Sequence, residues 1–156
     1  MSLFNFCVVV CAKYLIAVPF VLLLLYIFLT RGKRRKEALL LTVVGLPLTY
    51  AVGSALGHFF YNARPFVVGH FTPLVAHAAD NGFPSDHMLL AAALAQAGLH
   101  INRRLGVVLW ILAVLIGAAR VLAGVHHTVD IVCSASVAIV CVWLAEKVVK
   151  KLATRS

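Results

Sequence analysis

Residues 4–30 read FNFCVVVCAKYLIAVPFVLLLLYIFLT, an apolar run in which Lys13 is the only charged residue. The run exceeds the roughly 20 residues that a helix needs to cross a bilayer, and it is longer than the apolar core of a secretory signal peptide. It has no basic segment before it and no small-residue cleavage site after it. We therefore predict that this stretch is a retained transmembrane span.

The composition of the whole chain is that of a membrane protein. Of its 156 residues 63% are hydrophobic and 12% are charged, and the mean hydropathy is +1.01. This excludes an ordinary soluble domain, and the length suits one compact unit, so we predict a single integral-membrane domain over residues 1–156. The third and fourth apolar segments are short for a bilayer, which is tolerated where helix ends open into a polar cavity. The pattern predicts an all-α polytopic bundle of about five spans: 4–30, 38–60, 86–101, 105–120 and 128–147.

Most basic residues lie in the connections between these segments. A net charge of +9 could indicate a nucleic-acid partner, but 11 of the 14 Lys and Arg residues fall in alternate connections, on one face of a five-span bundle. The positive-inside rule makes that face cytoplasmic, with the N-terminus outside and the C-terminus inside. We therefore expect contacts with anionic lipid and no nucleic acid. The eleven residues are Arg31, Lys33, Arg34, Arg35, Lys36, Arg103, Arg104, Lys147, Lys150, Lys151 and Arg155.

The remaining ionisable residues gather in the opposite, outer half of the predicted bundle. Ionisable groups at the edge of an apolar span are costly, so their default interpretation is a functional site. Six of the seven histidines belong to this half. We therefore place the site on the extracytoplasmic side. The three remaining cations are Lys13, Arg64 and Arg120, and the acidic residues are Asp80, Asp86 and Asp130.

Two short motifs present polar groups where apolar segments end or begin. Arg64 precedes Pro65, which cannot continue a helix and pushes Arg64 out of the α region, so a guanidinium is presented at a helix exit. The stretch 81–84, Asn-Gly-Phe-Pro, is a turn signal, after which Ser85 or Asp86 caps the third span. A capped helix start binds anions, and His87 lies in its first turn. A lone interface arginine and an incidental histidine are the alternatives.

A third motif comprises Arg120, His126 and Asp130. If the last span begins near His126, Asp130 lies on the same helical face, four residues on. Its carboxylate can then accept one imidazole N–H and leave the other ring nitrogen as a nucleophile. Two arginines with two histidines indicate an oxyanion bound by guanidinium groups and attacked and protonated by imidazoles. A simple capping pair is the alternative.

In this order at membrane edges, Arg-Pro, Pro-Ser-x-His and Arg-x5-His-x3-Asp resemble the signature of the type 2 phosphatidic acid phosphatase superfamily of lipid phosphatases. Within that superfamily, the chain is most similar to the undecaprenyl-diphosphate phosphatases of the bacitracin-resistance type. These carry Pro-Ser-Asp-His, which is found here at 84–87. They also have a histidine six residues before the first arginine, the position that His58 occupies relative to Arg64. The string HAADNGFPSDH at 77–87 extends the likeness. The resemblance covers roughly residues 10–145.

The resemblance implies a role for each matching residue. His126 attacks the terminal phosphorus and forms a phosphohistidine, and Asp130 orients it. His87 protonates the leaving lipid phosphate. The resemblance also implies a reaction that needs no metal or cofactor, and charge stabilisation and positioning carry phosphoryl transfer in general. Binding of the phosphoryl oxygens is implied for Arg64, Arg120 and Ser85, with His58 and Asp86 as auxiliary residues. The implied location is the inner membrane of a bacterial cell.

Three features depart from the family pattern. The family's usual lysine, seven residues before the first arginine, is replaced by Gly57, and Lys13 is the hypothetical substitute for its charge. The serine that usually precedes the third-motif arginine is Ala119, which has no hydroxyl. The family also commonly has six spans, whereas five are predicted here.

Other functions stay open at this point. Within the same class, the substrate could be phosphatidylglycerophosphate, phosphatidic acid or lipid A phosphate, since generic apolar residues encode no headgroup. A metal-binding transporter and a noncatalytic lipid-binding protein come from other classes. No Cys or His pair gives a compact metal site, and the four cysteines are predicted to be buried small hydrophobes. The ligands that a transporter could use are His70, His77, His126, His127, Asp80 and Asp130.

Overall fold

The computed structural model describes residues 1–153, and helices account for 77% of these residues. No β-strand occurs within that range, so the predicted all-α membrane fold is confirmed. Arg155, predicted to be a cytoplasmic anchor, lies outside the described residues. The helices are α1 (Leu3–Lys13), α2 (Ala17–Leu29), α3 (Gly32–Phe59), α4 (Pro65–Val68), α5 (Asp86–Ile101), α6 (Arg103–Leu122) and α7 (Thr128–Ala153).

The predicted first span is broken into two helices. α1 and α2 meet at an angle of 46°. The cause is Pro19, whose ring lacks an N–H and would clash with the carbonyl of the residue four positions earlier in a continuous helix. At the break the chain forms tighter turns, in which each N–H bonds to the carbonyl three residues earlier. The N–H of Ala17 donates to the carbonyl of Tyr14 at 3.1 Å, and the N–H of Val18 donates to the carbonyl of Leu15 at 3.0 Å.

Among residues 1–153, three helices are long and apolar enough to cross a membrane, or up to four spans if the bent α1–α2 pair is counted as one. They are α3, α6 and α7, and α6 is longer at both ends than the predicted segment 105–120. α5 has 16 residues, as predicted, and is short for a bilayer. It is also the most enclosed helix, and its many alanines let its neighbours approach closely.

α5 forms the centre of the bundle, with α3, α6 and α7 packed around it. α1 leans against α6, and α2 contacts α3, α5 and α6. Large apolar side chains on the outer helix faces are exposed, as expected for surfaces that meet lipid. Cys141 is buried, Cys11 and Cys133 are half-buried, and Cys7 on α1 is exposed, so the prediction of buried cysteines is wrong for Cys7.

The two ends of the bundle differ in chemistry. At one end α3 and α6 finish and α5 and α7 begin, and this end carries Arg64, Arg120 and His126. At the other end a pocket of about 290 Å³ is bordered by Arg34 and Lys150 from the basic connections. The basic residues of the connections and the arginine–histidine cluster therefore lie at opposite ends of the bundle, as the charge pattern predicts. Which end faces the cytoplasm stays a prediction.

Candidate active site

Arg64 is a buried guanidinium that joins three segments of the chain. It has the extended backbone expected before Pro65, which begins α4, and only 5% of its surface is exposed. Its Nε donates to Asp80 Oδ1 at 2.7 Å, Nη1 to the carbonyl of Val125 at 2.9 Å, and Nη2 to the carbonyl of Asn81 at 3.1 Å. The Arg64 guanidinium lowers the pKa of Asp80. These bonds exclude an interface arginine that extends to headgroups.

Arg120 lies in the last turn of α6 and is 3% exposed. Its Nη1 donates to the carbonyl of Ala12 at 3.4 Å, and its Nη2 lies 3.4 Å from Nε2 of His126. Within the described part of the chain, Nε of Arg120 has no hydrogen-bond partner. A buried charge with unused donors is costly, so this geometry is suited to a bound anion.

The ring of His126 is held in one tautomer. Nδ1 lies 2.8 Å from the carbonyl of Gly82, and because a carbonyl only accepts, Nδ1 carries the proton. Nε2 therefore has the lone pair, and it faces Nη1 of Arg64 and Nη2 of Arg120 at 3.4 Å each. Burial, followed by the charges of Arg120 and Arg64, lowers the pKa of His126 to about 3. At neutral pH the site presents an unprotonated imidazole nitrogen between two guanidinium groups.

Asp130 is fully buried, but its contacts differ from those predicted. Its Oδ2 is 3.6 Å from Nδ1 of His126, too long for a hydrogen bond, and Nδ1–H donates to the carbonyl of Gly82 instead. Oδ2 accepts the backbone N–H of His127 at 2.8 Å, and Oδ1 accepts Nδ2–H of Asn62 at 2.7 Å. The reason is that α7 begins two residues after His126, so the carboxylate bonds to the helix start rather than to the ring.

The start of α5 adds further donors. Ser85 occupies the predicted N-cap position, and its N–H donates to Ser134 Oγ at 2.9 Å. Its own hydroxyl is fully buried and unpartnered within residues 1–153, so it is available to a ligand. Asp86 is exposed and His87 is half-buried in the first turn. A helix start with free N–H groups and a spare hydroxyl suits a phosphate.

His77 is one of several histidines whose role the sequence leaves open, and the structure brings it to the site. Its ring packs edge-on to that of His126, with centroids 6.3 Å apart. Burial, then the charges of Arg64 and Arg120, lower its pKa. His77 is therefore neutral at physiological pH, and its ring lies beside that of His126.

Other predicted residues lie further from this centre. His58 and Lys13 have exposed side chains, and the Lys13 ammonium stands 5.5 Å from the ring centroid of Tyr14. The carbonyl of the preceding Ala12 contacts Arg120, so α1 does reach the site through its backbone. The roles of His58 and Lys13 in substrate binding stay predictions.

The structure explains the glycine found where the family has lysine. A Cβ on Gly57 would lie 2.9 Å from the carbonyl oxygen of Phe83 and 3.0 Å from Cδ of Pro84. The end of α3 thus packs directly on the turn that leads into α5, and no side chain fits between them.

Replacing Gly57 with lysine to restore the family residue should therefore lower activity and thermal stability. An alanine at this position should act in the same direction, although Gly→Ala inside a helix ordinarily stabilises by roughly 1 kcal/mol. Thermal unfolding and phosphate release in detergent measure both effects, with the exposed Ser54→Lys one turn earlier as control. A Gly57→Lys protein as active as the parent would contradict this packing.

Asn62, Asn81 and Ser134 also form hydrogen bonds within the site, a role that the sequence motifs did not predict. Asn81 Oδ1 accepts the N–H groups of Asn62 and Phe83 at 2.9 and 3.0 Å, and its Nδ2 donates to two carbonyls at the end of α3. These residues act mostly through backbone groups brought together from distant segments. No local sequence signal marks such a role.

Metal ligation is the alternative use of these side chains. Within residues 1–153 no group of three or more His, Cys, Asp or Glu side chains is arranged to bind a metal ion. Histidine and aspartate here sit beside two guanidinium groups, whose charge opposes a cation. The donor set suits an anion.

Comparison with known families agrees with this chemistry. The model of the PAP2 superfamily matches residues 36–153. The chain belongs to this superfamily. The match includes the Arg64, His87, Arg120 and His126 motifs, and confirms the resemblance found in the sequence.

A curated relative and two solved structures are similar to this chain. Undecaprenyl-diphosphatase BcrC of Bacillus subtilis is 35% identical over 127 residues, which are 79% of this chain and 64% of that protein. Two crystal structures share the fold. LpxE of Aquifex aeolicus has a TM-score of 0.72 at 25% identity, covering 92% of this chain and 83% of that one. A PAP2-type phosphatidylglycerolphosphate phosphatase of B. subtilis has a TM-score of 0.65 at 21% identity, covering 93% and 74%. The chain is thus a multi-pass membrane member of this superfamily, and it spans 64% of the length of BcrC.

Proposed function

We propose that the protein hydrolyses the terminal phosphate of a polyprenyl diphosphate, converting undecaprenyl diphosphate to undecaprenyl phosphate through a phosphohistidine. The observation that carries the proposal is the Nε2 lone pair of His126, placed 3.4 Å from each of two guanidinium groups. A phosphoryl group bound by Arg64 and Arg120 would lie directly against this nitrogen. The similarity to BcrC favours the diphosphate lipid as substrate.

In the first step, the Nε2 lone pair of His126 attacks the terminal phosphorus and forms a P–N bond. The bond from phosphorus to the bridging oxygen breaks, and its electron pair goes to that oxygen. His87 donates a proton to the same oxygen, so polyprenyl phosphate leaves. The negative charge of the bound diphosphate favours the protonated form of His87 that this requires. Nδ1 of His126 keeps its proton throughout and donates it in a hydrogen bond to the carbonyl of Gly82.

In the second step, a water molecule attacks the phosphohistidine. The now neutral His87 accepts a proton from the water as its oxygen bonds to phosphorus. The P–N bond breaks, its electron pair returns to Nε2, and inorganic phosphate is released. Both imidazoles end in their starting protonation states.

Charge on the phosphoryl oxygens is balanced by groups already in place. Arg64 is fixed by its bonds to Asp80, Asn81 and Val125, so it needs little reorganisation when phosphate arrives. Nε of Arg120 and the hydroxyl of Ser85, which have no hydrogen-bond partner among the described residues, supply further donors. Preorganised donors of this kind contribute much of the rate enhancement in phosphoryl transfer.

Two apolar grooves on the bundle support a lipid substrate. One, of about 480 Å³, runs between α3 and α5 and reaches Asp86 at the start of α5. The other, of about 610 Å³, lies between α6 and α7 and reaches Thr128, two residues after His126. Both are lined mainly by apolar side chains, which suit an isoprenoid chain.

The proposal includes the protein's setting. The whole of residues 1–156 acts as one phosphatase domain in the inner membrane of a bacterial cell, with the site on the extracytoplasmic face. The separation of the basic connections from the arginine–histidine end supports this orientation.

Phosphate release from undecaprenyl diphosphate tests the function. We expect the full chain in detergent to hydrolyse this lipid faster than phosphatidylglycerophosphate or phosphatidic acid at matched concentrations, and to retain its rate in EDTA. Faster release of phosphate from another lipid phosphate would show that this other lipid is the preferred substrate. No release from any isoprenoid diphosphate, or loss of activity with EDTA and recovery with zinc, would contradict the proposal.

A further inference from the structure

The orientation of His126 depends on a backbone carbonyl, and that carbonyl is itself held from two sides. The peptide group joining Gly82 to Phe83 presents its oxygen to Nδ1 of His126 at 2.8 Å. Its N–H, which points the opposite way, donates to Asn81 Oδ1 at 3.0 Å. The preceding N–H, that of Gly82, donates to the carbonyl of Asn62 at 2.8 Å. A shift of either asparagine would therefore turn the Gly82 oxygen away from the ring.

Asn62 is in turn fixed by Asp130. The side-chain Nδ2 of Asn62 donates to Asp130 Oδ1 at 2.7 Å, and the N–H of Asn62 donates to Asn81 Oδ1 at 2.9 Å. Asp130 itself is anchored by the N–H of His127 at 2.8 Å. A continuous path of short hydrogen bonds thus runs from Asp130 through Asn62 and Gly82 to His126. The direct route from Asp130 to the ring, at 3.6 Å, is longer than a hydrogen bond.

We propose that Asn62 is a positioning residue for His126, and that Asp130 acts on the nucleophile through Asn62 and Gly82 rather than by bonding to the imidazole. The inference rests on the proposed role of His126. In this arrangement the carbonyl of Gly82 fixes the tautomer of His126. Asn62 links Asp130, near the start of α7, to the turn at Gly82, so the two keep a fixed relative position. Asn81 completes the same assembly, but its Nδ2 also closes the end of α3, so Asn62 gives the cleaner test.

The variant Asn62→Ala separates the two routes. It removes the side-chain amide and leaves Asp130 with its bond from His127. If Asp130 acts through Asn62, kcat for phosphate release from undecaprenyl diphosphate should fall on the order of 10- to 100-fold with KM changed less than about threefold, since a misplaced reacting group affects the chemical step. If Asp130 held the ring directly, kcat would stay within about twofold, and that result would overturn the proposal.

An exchange of the two side chains sharpens the test. In Asp130→Asn alone, one of the two accepting oxygens is replaced by an NH₂ donor. That donor then faces the NH₂ of Asn62 or the N–H of His127, one hydrogen bond is lost, and activity should fall strongly. The double variant Asn62→Asp/Asp130→Asn restores the pair with donor and acceptor reversed, and the introduced amide oxygen still accepts from His127. We expect the double variant to exceed Asp130→Asn in kcat by roughly tenfold or more, by restoring position. Equal activity of the two would show that the charge at position 130 acts on the ring itself.

Controls and a second readout keep the test independent of the substrate. Asn102→Asp makes the same substitution at the N-cap of α6, at the other end of the bundle, and should leave kcat unchanged. Nitrogen-15 NMR of histidine-labelled protein should show His126 protonated on Nδ1 in the parent and in the double variant, with mixed tautomers in Asn62→Ala. A single Nδ1–H tautomer in Asn62→Ala would count against positioning, even if the parent released no phosphate and the proposed function failed.

Discussion

His126→Ala is expected to abolish phosphate release from undecaprenyl diphosphate, with a loss of roughly 10⁴-fold or more. Alanine removes the Nε2 lone pair that forms the P–N bond, and a water molecule in its place has no fixed position between the two guanidinium groups. The two-step route is then lost as a whole. Binding of the lipid should persist, because Arg64 is held by other partners and Arg120 by Ala12.

The measurement is single-turnover phosphate release, beside thermal unfolding in detergent to establish folding. His70→Ala is the matched control, since His70 is an exposed histidine in the loop between α4 and α5. It should retain activity within about twofold. A folded His126→Ala protein that keeps more than about a tenth of the parent rate would contradict the role of His126.

Arg120→Lys is expected to lower kcat by about 10²- to 10³-fold while leaving the protein folded. Lysine keeps the positive charge, but it replaces the planar fork of donors with a single ammonium. Arg120 uses Nη1 on Ala12 and turns Nη2 towards His126, with Nε unpaired within residues 1–153, so one nitrogen cannot serve all three positions. The loss should therefore be larger in kcat than in KM.

The control for Arg120→Lys lies on the same helix. Arg104→Lys makes the identical change at the other end of α6, where the side chain is exposed, and should have no effect. Steady-state rates with undecaprenyl diphosphate compare the two. An Arg120→Lys rate within about fivefold of the parent would show that charge alone, without the guanidinium geometry, is sufficient.

The broad fold follows from the sequence because hydrophobic length and charge placement reflect the solvent that each segment meets. The all-helical bundle and the short third segment were predicted on that basis. The break near residues 14–16 was not, although Pro19 lies in the apolar run, because a proline near a helix start is compatible with either a new helix or a kink. The exposure of Cys7 was also missed, since hydropathy does not distinguish a lipid-facing position from a buried one.

The ionisable residues of the candidate site could be predicted from the sequence, but the groups that hold them in position could not. Arg64, Arg120 and His126 carry charges or lone pairs that are costly near an apolar span, so their presence signals function, and the structure brings them together. The ring partner was predicted to be Asp130 from its spacing of four, but the start of α7 and the turn at Gly82 decide that contact. Backbone acceptors leave no mark in a sequence.

The most direct test of the account is to trap the phosphorylated enzyme. The full chain is mixed with undecaprenyl diphosphate labelled with ³²P in the terminal phosphate, quenched in alkali within one turnover, and digested, because phosphohistidine survives alkali and is lost in acid. We predict acid-labile label on the peptide that contains His126, in an amount approaching one per active site, and none in His126→Ala. Release of phosphate by the parent protein without label on His126, or with label on another residue, would contradict the central claim.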